Sequence, residues 1–185
     1  MQTNLTLIGM PGAGKSTVGI ILAKNLSLGF IDTDVLIQIN QQQSLQQILD
    51  ASGHLALRAI EEAEICKLNV TRHVIATGGS ATYSHRAMTH LHRISLIVFL
   101  EVSFAEINRR IRDFSTRGIA KAKHQSLREL FDERQALYKK YADLTVACDN
   151  LDQEDVARAI IRSLPADRRI LSGANEVRLF TTGKG

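Results

Sequence analysis

The apolar positions of this chain fall into short unbroken runs separated by longer stretches in which they recur every three or four residues. Residues 4–9 (NLTLIG), 29–31 leading into Asp32, 73–77 (HVIAT), 94–100 (ISLIVFL) and 144–147 read as buried strands. Helical periodicity covers 16–26, 35–40, 44–51, 55–69, 85–92, 104–112, 126–141 and 152–163. Ser44 stands where a helix N-cap is expected, and Gly53 is the expected stop of the helix it opens. Strands that alternate with helices imply a parallel sheet covered on both faces. The expected fold class is therefore α/β, a three-layer α/β/α domain with a central five-stranded parallel sheet spanning residues 1–165. After Pro165 the pattern fades, and residues 166–185 read as a tail, with Val177 to Phe180 as its one strand-like run.

Composition narrows the class without naming it. The chain has 185 residues, 44% hydrophobic and 23% charged, ordinary values for a globular protein large enough to need no disulfide or metal staple. Its two cysteines, Cys66 and Cys148, match neither a CxxC nor a zinc spacing, and they suit a reducing compartment. No run approaches about eighteen apolar residues, and no basic segment precedes the first strand, so a cytoplasmic protein is expected. The net charge of +4 invites a nucleic-acid reading, but aromatics are only 5% and tryptophan is absent, which argues against a stacking platform. Arg109, Arg110, Arg112 and Arg117 cluster instead, as suits a compact anion.

The chemistry begins at Gly9-Met10-Pro11-Gly12-Ala13-Gly14-Lys15-Ser16, a full GxxxxGK[ST] match between a strand and a helix. Glycines let the loop turn its N–H groups toward phosphate oxygens, and the helix N-terminus adds its positive dipole end. Gly12, Ala13, Gly14, Lys15, Ser16 and Thr17 are the expected ATP-binding residues. Lys15 is placed at the β- and γ-phosphates and Ser16 at Mg²⁺. Asp32 and Asp34 follow the second strand, and their i, i+2 spacing at a strand end puts both carboxylates on one side. One near the metal and one near an acceptor hydroxyl would divide the work of phosphoryl transfer. An N-cap for the next helix is the alternative use of either.

With these residues assembled, the sequence resembles the shikimate kinases, small members of the nucleoside-monophosphate-kinase-like P-loop group, over roughly residues 4–164. GMPGAGKSTVG, FIDTD, Gly53 through Arg58 to Glu61, ATGGS at 76–80, the arginine-bearing lid and ERQALYKKYAD at 133–143 carry the likeness. The resemblance implies ATP-dependent phosphorylation of shikimate, with Mg²⁺ as cofactor. It implies catalytic roles for Asp34, Lys15 and Arg117, and a metal site at Ser16 and Asp32. It also implies a substrate site of Asp34, Arg58, Gly78, Gly79, Ser80 and Arg134, with Arg110 and Arg117 added on the ATP side. The substrate-binding region is expected at about 34–62 and the lid at about 113–125. ATP and a small hydroxylated carboxylate are the expected partners of a monomeric chain, without nucleic acid or membrane.

Read from the residues alone, several of these positions keep a second meaning. A carboxylate calls for the planar fork of arginine. Arg58 precedes Glu61 and Glu62 by three and four residues, so Glu61 could hold its guanidinium, or the pair could be an ordinary surface salt bridge. Arg134, beside Glu133, suits either a ligand or a charged helix face. Arg110 and Arg117 suit either a nucleotide or solvent, and Gly78-Gly79 either a ligand or a plain turn.

The chain also departs from the family pattern. His54 and Leu57 replace the usual glutamate and aromatic before Arg58, and Ser80 replaces a third glycine. The lid reads Arg117-Gly118-Ile119-Ala120, and the loop at 148–150 lacks its usual proline. Ser80 is expected either to crowd the ring or to make a new hydrogen bond, and the lid to be softer. A paralogous kinase for another small hydroxy acid, or a nucleotide-binding regulator, remains the alternative function.

Overall fold

The computed structural model describes residues 3–110, 119–122 and 124–165. Strand β1 (Asn4–Ile8) leads through the glycine loop into α1 (Lys15–Leu26), and β2 (Gly29–Asp32) runs directly into α2 (Thr33–Gln41). The long α3 (Leu45–Lys67) precedes β3 (His73–Ala76), a single 3-10 turn (Ala81–Tyr83) and α4 (His85–Ile94). Next come β4 (Ser95–Glu101), α5 (Phe104–Arg110), α6 (Leu127–Tyr141), β5 (Leu144–Ala147) and α7 (Gln153–Ser163). The five strands form one parallel sheet in the order β2-β3-β1-β4-β5. The expected fold class and strand number stand.

Local sequence explains most boundaries. Ser44 and Ser126 each close a capping box, with Gln47 and Glu129 as the reciprocal partners. Gly53, read as a stop, sits inside α3 at φ 79° and ψ 174°, so two helical segments meet there at a kink. An extended backbone with positive φ is a conformation that glycine adopts without strain. The kink redirects the second segment, which carries Arg58 and Glu61. The predicted helix 104–112 is seen through Arg110, and the rest of it lies outside the described residues, as do residues 113–118, 123 and the tail 166–185. The 3-10 turn had no sequence expectation of its own.

The sheet is dry on both faces. Leu5, Leu7, Ile75, Ile97, Val98 and Phe99 are all fully buried, which is why the strands read as unbroken apolar runs rather than alternating ones. Gly19 of α1 leaves room for the Phe30 ring of β2: a Cβ there would lie 2.5 Å from the ring edge. Three loops leave the carboxyl ends of adjacent strands and define one crevice. They are the glycine loop after β1, the Asp32–Thr33 junction after β2, and Thr77 to Ser80 after β3, in the position where open α/β sheets bind ligands.

One buried polar side chain ties the opposite end. The Asn4 amide donates to the carbonyls of Val70 and Ile94 at 2.8 and 3.0 Å, and its oxygen accepts from the His73 N–H at 2.9 Å. It ties β1 to the segments that enter β3 and β4. Removing it strands three polar groups, each worth roughly 1–3 kcal/mol. Asn4→Ala is expected to lower the unfolding free energy by about 2–4 kcal/mol in urea titration. A loss below about 0.5 kcal/mol would contradict this role.

Candidate active site

The crevice is a cavity of about 550 Å³ lined by the glycine loop, α2, α3, the turn after β3, Ile119-Ala120 and α6. On the loop side Gly12 and Gly14 hold φ of 81° and 95°, and α1 starts at Lys15 with its free N–H groups facing the opening. Gly9 cannot carry a side chain, because a Cβ would sit 2.9 Å from the Leu100 carbonyl oxygen. Lys15 is buried and donates to the carbonyls of Gly9 and Met10 at 2.8 and 3.0 Å. Burial lowers its ammonium to about 8, although Asp34 pulls the other way.

The two aspartates divide in an unexpected way. Asp32 is the last residue of β2 and Asp34 already lies in the first turn of α2, so the spacing crosses a strand–helix junction rather than running along a strand. Asp32 takes the N-cap use and keeps its second oxygen on Ser16. Its Oδ1 caps α2 by accepting from the N–H groups of Asp34 and Val35, and its Oδ2 accepts from Ser16 Oγ at 2.5 Å. Asp34 points into the cavity toward Lys15. Burial raises its carboxyl to about 6, and the Lys15 charge opposes that shift. Thr33, between them, accepts the Gly78 N–H at 3.1 Å and so fixes the opposite wall.

That wall is made of close contacts. A Cβ on Gly78 would collide with Glu61 Oε1 and lie 2.5 Å from Asp34 Oδ1, and one on Gly79 would lie 2.7 Å from Pro11 and 2.8 Å from Arg134 Nη1. Only bare backbone lets the two carboxyls and the guanidinium converge. Ser80, where a third glycine was the family pattern, has an ordinary φ of −104° and donates its hydroxyl to Glu61 Oε2. The Arg58–Glu61 pair that the spacing allowed is not formed: Ser80 holds Glu61 Oε2, while Glu61 Oε1 and Arg58 Nε are each buried without a hydrogen-bond partner. Glu61 is buried, and this burial raises its carboxyl to about 7, with the Asp34 charge adding to the rise.

Arg134 is 1% exposed, which excludes the charged-surface alternative. Its Nη2 donates to the Ala120 carbonyl at 2.6 Å, its Nε is without a partner, and no carboxylate among the described residues lies within ion-pair distance. Tyr138, one helical turn on, donates its hydroxyl to the Gly79 carbonyl at 2.6 Å and holds the turn against α6. Arg58 lies beside the cleft rather than in it, its guanidinium 3.5 Å from the Tyr83 ring centroid. Arg110 is bound to Glu106 at 2.7 Å and reaches the Gly12 carbonyl at 3.4 Å, in a second hollow shared with Asn150 and Leu151. Ile119 and Ala120 of the lid motif are buried against the cavity, whereas Arg117 and Gly118 lie outside the described residues.

The sequence reading passed over Thr33, Tyr83 and Tyr138. Tyr138 carried a signal, the i+4 spacing from Arg134 that puts both on one helix face. Tyr83 carried none, since its role depends on a turn that brings it under α3.

The arrangement is a phosphate cradle, a half-buried carboxylate opposite it and a guanidinium at the far wall, all within one cavity. It suits phosphoryl transfer to a small acceptor that bears both a hydroxyl and an acid group.

A family model described as shikimate kinase matches residues 11–165. The chain is 37% identical over 166 residues to the shikimate kinase of Rippkaea orientalis, covering 88% of each chain. It is 38% identical over 151 residues to that of Paracidovorax citrulli, covering 79% of this chain and 82% of the relative. A solved shikimate kinase from Acinetobacter baumannii, in complex with shikimate, superimposes with a TM-score of 0.81 at 27% identity, covering 88% of this chain and 92% of that one. The enzyme from Aquifex aeolicus does so with 0.76 at 30% identity, covering 92% and 99%. On the match of the family model to nearly the whole described fold, and on these relatives, the chain belongs to the shikimate kinase family.

Proposed function

We propose that this protein transfers the γ-phosphoryl group of ATP to a hydroxyl of shikimate, giving shikimate 3-phosphate and ADP. The observation that carries the reading is the Arg134 guanidinium, buried without an acidic partner in the same cavity as Asp34 and Lys15. Asp34 and Glu61 feel its charge, but both lie beyond ion-pair distance and burial pushes both toward their neutral forms, so an added carboxylate can complete it with two parallel hydrogen bonds.

In this reading the glycine loop and the start of α1 hold the ATP phosphates, with Gly12, Ala13, Gly14, Lys15, Ser16 and Thr17 facing them. Lys15 leaves its loop carbonyls for the phosphate oxygens and balances charge on the transferring group. Ser16 Oγ and Asp32 Oδ2, 2.5 Å apart, are hard oxygen donors of the kind Mg²⁺ takes alongside waters and phosphate oxygens, and they would hold that ion. Bound there, Mg²⁺ supplies charge neutralisation to the β- and γ-phosphates. Asp34 accepts the proton of the acceptor hydroxyl as its oxygen bonds to the γ-phosphorus and the bond from that phosphorus to the ADP oxygen breaks. The substrate lies between Asp34 and the Gly78-Gly79 backbone, with Ser80 at the edge and Arg134 on its carboxylate, and Arg58 reaches that carboxylate from its place beside the cleft. Arg110, in the hollow with Asn150, faces the adenine. Arg117 is assigned to the lid by its motif alone.

The direct check is ADP release with Mg·ATP and shikimate, run beside quinate, gluconate and nucleoside monophosphates. Saturable turnover is expected with shikimate, and Asp34→Asn is expected to lower kcat by at least about 100-fold while ATP binding persists. Turnover with another acceptor only, or an active Asp34→Asn variant, would overturn the reading. The pH profile follows from the two shifted groups. Asp34 must lose its proton to act as base, so kcat/KM rises as pH passes about 6. Lys15 must keep its proton to hold phosphate, so kcat/KM falls as pH passes about 8. A flat profile across both limbs would contradict these assignments.

A further inference from the structure

Ser80 and Tyr83 flank the 3-10 turn, and together they change how Arg58 is held. Glu61 stands one helical turn from Arg58, at the spacing of an i, i+3 ion pair. Ser80 instead claims the Glu61 carboxylate, and no carboxylate among the described residues lies within ion-pair distance of the Arg58 guanidinium. What lies against that guanidinium is the Tyr83 ring, 3.5 Å away at its centroid. The Arg134 guanidinium lies 5.5 Å from the same ring. Two cations thus share one aromatic neighbour, and Arg134 is among the groups that disfavour the charge on Arg58, after burial.

The physics of the two partners differs. A carboxylate would fix Arg58 by occupying its N–H donors and cancelling its charge. An aromatic face attracts the cation through the ring quadrupole, for about 0.5–2 kcal/mol, and leaves the in-plane donors free. We propose that Tyr83 is the positioning residue for Arg58, its ring orienting the guanidinium without neutralising it, so that the planar donor fork stays open to the substrate carboxylate. This rests on the reading above that Arg58 and Arg134 receive that carboxylate.

The test is steady-state kinetics of the full chain with shikimate and Mg·ATP, with thermal unfolding confirming that each variant is folded. Tyr83→Leu is expected to raise the shikimate KM by about 5- to 10-fold, with kcat and the ATP KM little changed. Tyr83→Phe, which keeps the ring, is expected to restore KM to within about twofold of the parent. In an Arg58→Met background, Tyr83→Leu is expected to raise KM no further, since the ring then has no guanidinium to hold. If Arg58→Met raises KM but Tyr83→Leu does not, the positioning role is wrong and the carboxylate reading survives. If Tyr83→Phe is as impaired as Tyr83→Leu, or if the Leu effect persists without Arg58, the ring does not act through Arg58. If Arg58→Met leaves KM unchanged, the carboxylate reading of Arg58 fails, and this proposal fails with it.

Discussion

A buried guanidinium with no carboxylate within ion-pair distance among the described residues is the constraint around which this cleft is arranged. Arg134 is anchored from below by α6 and from one side by the Ala120 carbonyl, and Gly79 must be bare for it to fit. Tyr138, a turn further along the same helix, pins the Gly79 carbonyl, so the wall and the cation move as one piece. Losing a carboxylate partner for such a group costs several kcal/mol in the free protein. In the proposed function a ligand carboxylate offsets that cost on binding, and the offset is available only to ligands that bring one.

The other charges in the cavity follow the same logic. Lys15 and Asp34 both have their charged forms disfavoured by burial, and each partly stabilises the other. Glu61 is pushed furthest toward its protonated form among the carboxyls here, being buried against Asp34 with only Ser80 as a donor. The free site is therefore a set of groups kept from full solvation and awaiting phosphates on one wall and an acid on the other. Stability given up in this way is what pre-organised electrostatic sites share.

How much of this was legible beforehand depended on whether the signal was local. The five strands, the Ser44 cap and the glycine loop are short-range features, and the sequence stated them nearly residue by residue. Gly53 was seen as a helix stop but proved to be a kink, because the second helical segment resumes at once and only the tertiary path shows the turn. Asp32 was ambiguous between cap and ligand; one of its oxygens caps α2 and the other bonds Ser16, so capping does not use up the carboxylate. Helical spacing allowed an Arg58–Glu61 pair, but in the fold Arg58 lies against the Tyr83 ring and Glu61 takes the Ser80 hydroxyl, contacts made by a distant turn that spacing along one helix does not show. Arg134 could not be distinguished from a surface charge until burial was known. Tyr83 was invisible, since nothing in a lone tyrosine marks it as an arginine's partner.

The most direct test of this account is calorimetric. Binding of shikimate and of its neutral carboxamide would be compared in the parent chain and in Arg134→Met, at fixed pH in the presence of ADP. The account predicts that the carboxamide binds the parent at least about 30-fold more weakly than shikimate does, and that this preference collapses in Arg134→Met, because ligand charge and protein charge form one interaction. Equal binding of acid and amide to the parent, or a preference that survives the loss of Arg134, would show that the buried guanidinium does not receive the ligand's carboxylate.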